Sequence, residues 1–124
     1  MKKNKLGTLE VGRIGLGAMG MSAYYTMGKA TEAESIRTIH RAIDLGVTMI
    51  DTAEVYGPYT NEELVGKALK GKRERVVLAT KFGVISHLNG GMNALDSKPD
   101  NIRSAVEGSL KRLQNHAETA GGRL

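Results

Sequence analysis

Two short apolar runs constrain this chain more than any other feature: Val47-Thr48-Met49-Ile50 and Val76-Val77-Leu78-Ala79-Thr80. Each follows a helical pattern stopped by a glycine, and each is followed by a charged group, Asp51 or Lys81. Short apolar runs alternating with helical patterns predict βα units around a parallel sheet. The unbroken Val-Val-Leu-Ala run suits a parallel strand covered on both faces. In such sheets the loops after the strands converge, and chemistry is placed there.

The loop after the first run reads Asp51-Thr52-Ala53-Glu54-Val55-Tyr56-Gly57. A carboxylate and a phenol five positions apart can face one pocket, and Lys81 ends the next strand in the matching position. Acid, phenol and amine at successive strand ends compose a proton-transfer site. Each also has a plainer reading. Asp51 could simply cap a helix, Tyr56 could pack its loop, and Lys81 could be solvated. Their joint placement in consecutive units favours the shared site.

The remaining elements fit around these strands. Lys5–Val11 and Arg13–Gly17 read as two short strands about a turn at Gly12, the first as a hairpin arm. Thr31-Glu32-Ala33-Glu34 is a capping box, followed by an apolar stripe of Ile36, Ile39 and Ile43 that ends at Gly46. His40 shares that stripe and reads as a packed or hydrogen-bonded residue, not a ligand. Thr60 or Asn61 is expected to cap a second helix. That helix has Glu62 and Glu63 near its start, a stripe of Leu64, Val65, Ala68 and Leu69, and Gly71 at its end. Phe82 to Asp96 is aperiodic and reads as a loop on the Lys81 face, with an exposed His87. Ser97-Lys98-Pro99-Asp100 opens a third helix by a capping box with an early proline. Its apolar face is Ile102, Ala105, Val106, Leu110 and Leu113, and Gly108 costs it roughly 1 kcal/mol against Ala.

Gly15-Leu16-Gly17-Ala18-Met19-Gly20 matches the G-x-G-x-x-G spacing of a dinucleotide-binding fingerprint. That fingerprint requires a helix starting at the glycines, so that its N-terminus meets a pyrophosphate. Met21–Gly28 carries no helical stripe, so a Rossmann-type dinucleotide-binding protein is the weaker reading.

The segments RIGLGAMGMS, AIDLGVTMIDTAEVYGPYTNEELVGKAL, VVLATKFG and DNIRSAVEGSLKRL resemble the N-terminal part of an aldo-keto reductase, of the bacterial and plant branch. The resemblance runs from about Lys5 to Leu113 and implies an α/β fold. The fold would be a partial (β/α)8 barrel made of an N-terminal hairpin and about three βα units. It implies catalytic roles for Asp51, Tyr56 and Lys81, three of the family's four catalytic positions; the fourth, a histidine after the next strand, is not matched. It implies NADPH as cofactor, with Gly17, Ala18, Met19 and Asp51 contacting it, and a small-molecule carbonyl as substrate.

On that resemblance residues 1–113 form the N-terminal part of an NADP-dependent oxidoreductase barrel, and 114–124 an aberrant, disordered tail. Gln114–Leu124 has no β-branched residue beyond Thr119, and so cannot supply a buried strand. His116 stands too early to end one. The expectation is a truncated or frameshifted reductase that is inactive alone. The alternative is a non-catalytic fragment associating, with itself or a complementary chain, through its sheet edge.

Composition narrows the partners. The net charge is +5, but the densest basic group, Lys67-Lys70-Lys72-Arg73-Arg75, surrounds a helix C-terminus, where cations complement the dipole. One Phe, four Tyr and no Trp leave little surface for stacking bases, so no nucleic-acid partner is expected. No apolar run reaches the ~20 residues of a membrane span, and no cysteine or spaced histidine set suggests a metal site. A cytoplasmic location is expected.

Overall fold

The computed structural model describes residues 1–22, 29–85 and 94–114. His87 and His116, the Asn89-Gly90-Gly91 stretch and the tail beyond Gln114 lie outside them. The chain opens with an antiparallel hairpin of β1 (Lys3–Leu6) and β2 (Leu9–Gly12), with Leu6 opposite Leu9. The turn is therefore Gly7-Thr8, not Gly12. Gly7 has φ +62° at the first of two loop positions, the conformation a II′ hairpin turn reserves for glycine. Gly12 instead ends β2, its N–H donating to Thr48 Oγ1 at 2.7 Å.

Three parallel strands follow: β3 (Leu16–Gly17), β4 (Met49–Asp51) and β5 (Val77–Ala79), in that spatial order. Helix α1 (Glu32–Asp44) joins β3 to β4, and α2 (Thr60–Ala68) joins β4 to β5. The α1 start is the expected one, with Thr31 Oγ1 accepting from the Glu34 N–H at 3.2 Å. At its end the Gly46 N–H reaches Ile43 O and the Val47 N–H reaches Ala42 O, the paired bonds of a Schellman stop. His40 is packed as read, its Nε2 lying 2.7 Å from Ala68 O at the end of α2.

Apolar stripes of both helices bury against β4. Ile39, Ile43, Ile50, Val65, Ala68 and Leu69 form the core with Ala18, Val76 and Leu113. Trimming one of the large members, such as Ile50, to Ala is worth about 2–5 kcal/mol. Val77, Leu78 and Ala79 are only half-buried, contrary to the expectation of a strand covered on both faces. Among the described residues β5 pairs with β4 alone.

Three helix and loop expectations are corrected. Helix α2 starts at Thr60 after Tyr59, so neither Thr60 nor Asn61 is its cap; Asn61 is a buried residue of its first turn. Helix α3 (Pro99–Arg112) does carry its proline at the first turn, but its N-cap is Lys98, not Ser97. Asp96 organises that start, accepting the Lys98 N–H on Oδ1 and the Asn101 side chain on its carbonyl. Within the stretch read as a loop, β6 (Val84–Ile85) and β7 (Ala94–Leu95) form an antiparallel pair. Paired runs this short leave no periodicity to detect.

Helices α2 and α3 meet at Gly66. A Cβ there would lie 2.4 Å from Arg112 O and 2.9 Å from Leu113 Cα, so only glycine permits this approach. None of the helices in the described residues is long and apolar enough to cross a membrane.

Candidate active site

Parallel pairing places Gly17 beside Asp51 and Asp51 beside Ala79, so three strand ends lie side by side. The pairing continues past the strands: Thr52 N–H donates to Ala79 O at 2.9 Å and Glu54 N–H to Lys81 O at 3.2 Å. The start of the Asp51–Gly57 loop is thereby fixed to the segment that carries Lys81. The loop then coils through Tyr56 N–H to Ala53 O and Tyr59 N–H to Glu54 O. Gly57 allows this with φ +94°, and a Cβ there would lie 2.0 Å from Thr60 Oγ1. An L side chain at that position is excluded on both counts.

The three predicted groups come together. Lys81 Nζ donates to Asp51 Oδ1 at 2.5 Å, to Thr52 O at 2.9 Å and to Tyr56 Oη at 3.4 Å. It also stands 5.2 Å from the centre of the Tyr56 ring. Partial burial disfavours the ammonium, but hydrogen bonds to Asp51 and Tyr56 and the Asp51 charge outweigh it and raise the Lys81 pKa. The phenol oxygen accepts from the ammonium, which leaves the phenol's own O–H to donate elsewhere. Side chains of Lys81 and Asp51 are 50% and 41% exposed, so the cluster opens to solvent and is reachable by a ligand.

Residues 17–19 lie next to this cluster. The Ala18 N–H donates to Asp51 O at 2.8 Å, and Met19 begins a single 3₁₀ turn, Met19–Met21. No α-helix starts at Gly20, so the glycine spacing is not a Rossmann fingerprint here. The Ala18 side chain is fully buried, whereas a Cβ added to Gly17 would meet nothing within 4 Å. Bare backbone therefore faces open space beside Asp51.

Two buried groups that hold the site escaped the sequence. Asn61, fully buried, donates to Ala18 O at 2.8 Å and Ser22 Oγ at 2.6 Å, and accepts from Thr52 Oγ1 at 2.6 Å. It ties the Gly17–Met19 segment to the Asp51 loop. Glu62, expected only to complement the helix dipole, is fully buried and paired with Arg112 at 2.6 Å. The one signal for that pair was glycine inside helices. Gly108 sits four residues before Arg112, and a Cβ there would come within 2.7 Å of the guanidinium. Among the described residues no cluster of three metal-ligating side chains occurs.

The sequence pattern of the aldo/keto reductase family matches residues 13–117. Among solved structures, an aldo-keto reductase from Bacillus halodurans in its holo form is 37% identical, with a TM-score of 0.81 over 92% of this chain. The glycerol dehydrogenase of Gluconobacter oxydans is 35% identical, with a TM-score of 0.67 over 86% of this chain. An aldo-keto reductase from Klebsiella pneumoniae in complex with NADPH is 32% identical, with a TM-score of 0.63 over 85%. The match spans 37%, 33% and 32% of those three chains, respectively. The strands and helices described above are thus those of a partial (β/α)8 barrel.

Proposed function

The chain belongs to the aldo/keto reductase family, and on that premise we propose that Asp51, Tyr56 and Lys81 serve NADPH-dependent reduction of a small-molecule carbonyl. The observation that carries this reading is the placement of one ammonium against both the Asp51 carboxylate and the Tyr56 phenol oxygen.

Reduction of a carbonyl needs a hydride and a proton. When bound, a reduced nicotinamide supplies the hydride. The chain's own residues supply the proton and its control. A phenol of ordinary pKa near 10 is a poor acid at neutral pH. The Lys81 ammonium stands 3.4 Å from the Tyr56 oxygen, on hand for the charge left there as the phenol proton passes to an oxygen that is gaining negative charge. Asp51 keeps Lys81 charged and fixed, and Thr52 O takes a second ammonium proton, which limits the directions in which Nζ can point. The fit of a cofactor ring rests on Gly17: its backbone is uncovered and lies in register with Asp51. Gly17, Met19 and Asp51 are the residues we assign to that contact; Ala18, wholly buried with its N–H on Asp51 and its carbonyl on Asn61, holds the segment in place behind them.

These 124 residues alone are expected not to turn over substrate. Both outer strands, β3 and β5, pair on one side only among the described residues, and the reacting groups stand half in solvent. Productive geometry tolerates little displacement, and a sheet open at both edges holds its strand ends loosely. The half-buried Val77–Ala79 edge also supports a second reading, association through that strand with a further polypeptide.

A chimera tests the first reading. Residues 5–113 would replace the matching segment of the Bacillus halodurans barrel, and nicotinamide absorbance would be followed with a reactive aromatic aldehyde. Turnover by the chimera, with none by the chain on its own, is the expected result. A folded chimera that binds NADPH but does not reduce the aldehyde would overturn the proposal.

A further inference from the structure

The least exposed carboxylate among the described residues lies outside the candidate active site. Glu62, 0% exposed, accepts from Arg112 Nε on Oε2 at 2.6 Å. Its Oε1 accepts from Ser109 Oγ at 2.7 Å and Thr80 Oγ1 at 2.6 Å. Arg112 goes further: its Nη2 lies 3.6 Å from Glu54 Oε1, and its guanidinium carbon stands 4.5 Å from the centre of the Tyr59 ring. Two helical glycines clear its way, since a Cβ at Gly108 or Gly66 would strike its guanidinium or its carbonyl.

Every partner of this cluster outside α2 and α3 belongs to a segment that carries a reacting group. Thr80 is the residue before Lys81. Glu54 and Tyr59 bracket Tyr56 in one loop and are themselves joined, Tyr59 N–H to Glu54 O at 2.8 Å. The planar guanidinium grips the Tyr56 loop directly, at Glu54 and Tyr59, and Glu62 carries the link on to Thr80, so the ion pair can hold both segments in one mutual position. Stability is a weak explanation for such a pair, because apolar replacements of buried ion pairs are often neutral or better. Geometry is the stronger one, because a fork of donors specifies position where apolar contact does not.

We infer that Arg112, anchored by Glu62, is a positioning residue that sets the separation of the Tyr56 phenol from the Lys81 ammonium. It touches neither group. The inference takes its importance from the proposed roles of Tyr56 and Lys81, but its test reads geometry and not turnover.

The test uses the full chain with labelled tyrosine and lysine, and the nuclear Overhauser cross-peak between the Tyr56 ring and the Lys81 side chain. Arg112→Met alone would strand the buried Glu62 charge and risk unfolding. The informative variant is therefore Glu62→Gln with Arg112→Met, in which the amide put in place of the carboxylate can still bond Thr80 and Ser109. Its amide shifts over α1 and β4 should match the parent, while the cross-peak falls at least about three-fold as the Tyr56 loop loses its grip on α3. Arg112→Lys keeps the charge and so the fold, yet lacks the fork and the flat face; its cross-peak should fall about two-fold. Parent-strength cross-peaks in the folded variants, or in Arg112→Lys should the double variant not fold, would overturn the inference. So would a parent chain without the cross-peak. Failure of the catalytic reading would appear instead as inactivity of the barrel chimera, with the cross-peak intact.

Discussion

Lys81 faces Tyr56 with its ammonium 3.4 Å from the phenol oxygen, so the phenol accepts and keeps its own proton for another partner. The same nitrogen is held from behind by Asp51 Oδ1 and Thr52 O. The arrangement is directional: carboxylate and carbonyl behind the ammonium, phenol in front. It follows from two neighbouring parallel strands ending at the same level.

Asp51→Asn should leave Lys81 bonded to Thr52 and Tyr56 but without a counter-charge. The Asp51 bond and charge help raise the Lys81 pKa against the opposing effect of burial. In the variant the Lys81 titration, followed by NMR of labelled lysine, should move down. An unmoved titration would show that Asp51 does not hold the ammonium in solution.

Alkaline stability should expose two groups. Burial and the Glu54 charge raise the Tyr59 pKa above its ordinary 10.0, against the opposing Arg112 charge. Lys81 is raised above 10.5, the Asp51 and Tyr56 bonds overcoming the effect of burial. A group with a folded pKa above its unfolded one contributes fully below the unfolded value, and that contribution is lost as pH rises through the folded value. Urea midpoints should therefore fall above about pH 10. Tyr59→Phe with Lys81→Met should flatten that fall, and an equally steep fall in the double variant would contradict the assignment.

Asn61→Ala removes a side chain that bonds three partners in a dry setting. Leaving the Ala18 carbonyl and the Thr52 hydroxyl without it should cost on the order of 2–4 kcal/mol. Urea unfolding measures this directly. In the barrel chimera the same change should weaken NADPH binding, because the Gly17–Met19 segment loses its tie to the Asp51 loop.

Strands, helices and the three groups that meet at the strand ends were legible in the sequence because each leaves a local mark. Val47–Ile50 and Val76–Thr80 are apolar runs, Thr31 and Gly46 punctuate α1, and Asp51 and Lys81 follow their strands directly. What was not legible depends on contacts distant in sequence. Glu62 looks like any acidic residue in a first helical turn until Arg112, far along the chain, is packed against it. Asn61 reads as a cap because Asn often is one, and only the fold brings Ala18 and Ser22 to it. The Gly7-Thr8 turn was missed for another reason. Lys5–Val11 looks continuous when Gly7 is read as a strand residue, and a glycine inside a strand pattern is itself a breaker signal.

The claim that Tyr56 is the proton donor is tested most directly by Tyr56→Phe in the barrel chimera, which removes one hydroxyl and nothing else. Turnover of the aldehyde should fall by at least about a hundred-fold, the scale of a lost general acid, while NADPH affinity is unchanged. Turnover within about three-fold of the parent chimera would mean that the proton comes from another group, since a general acid contributes far more than that.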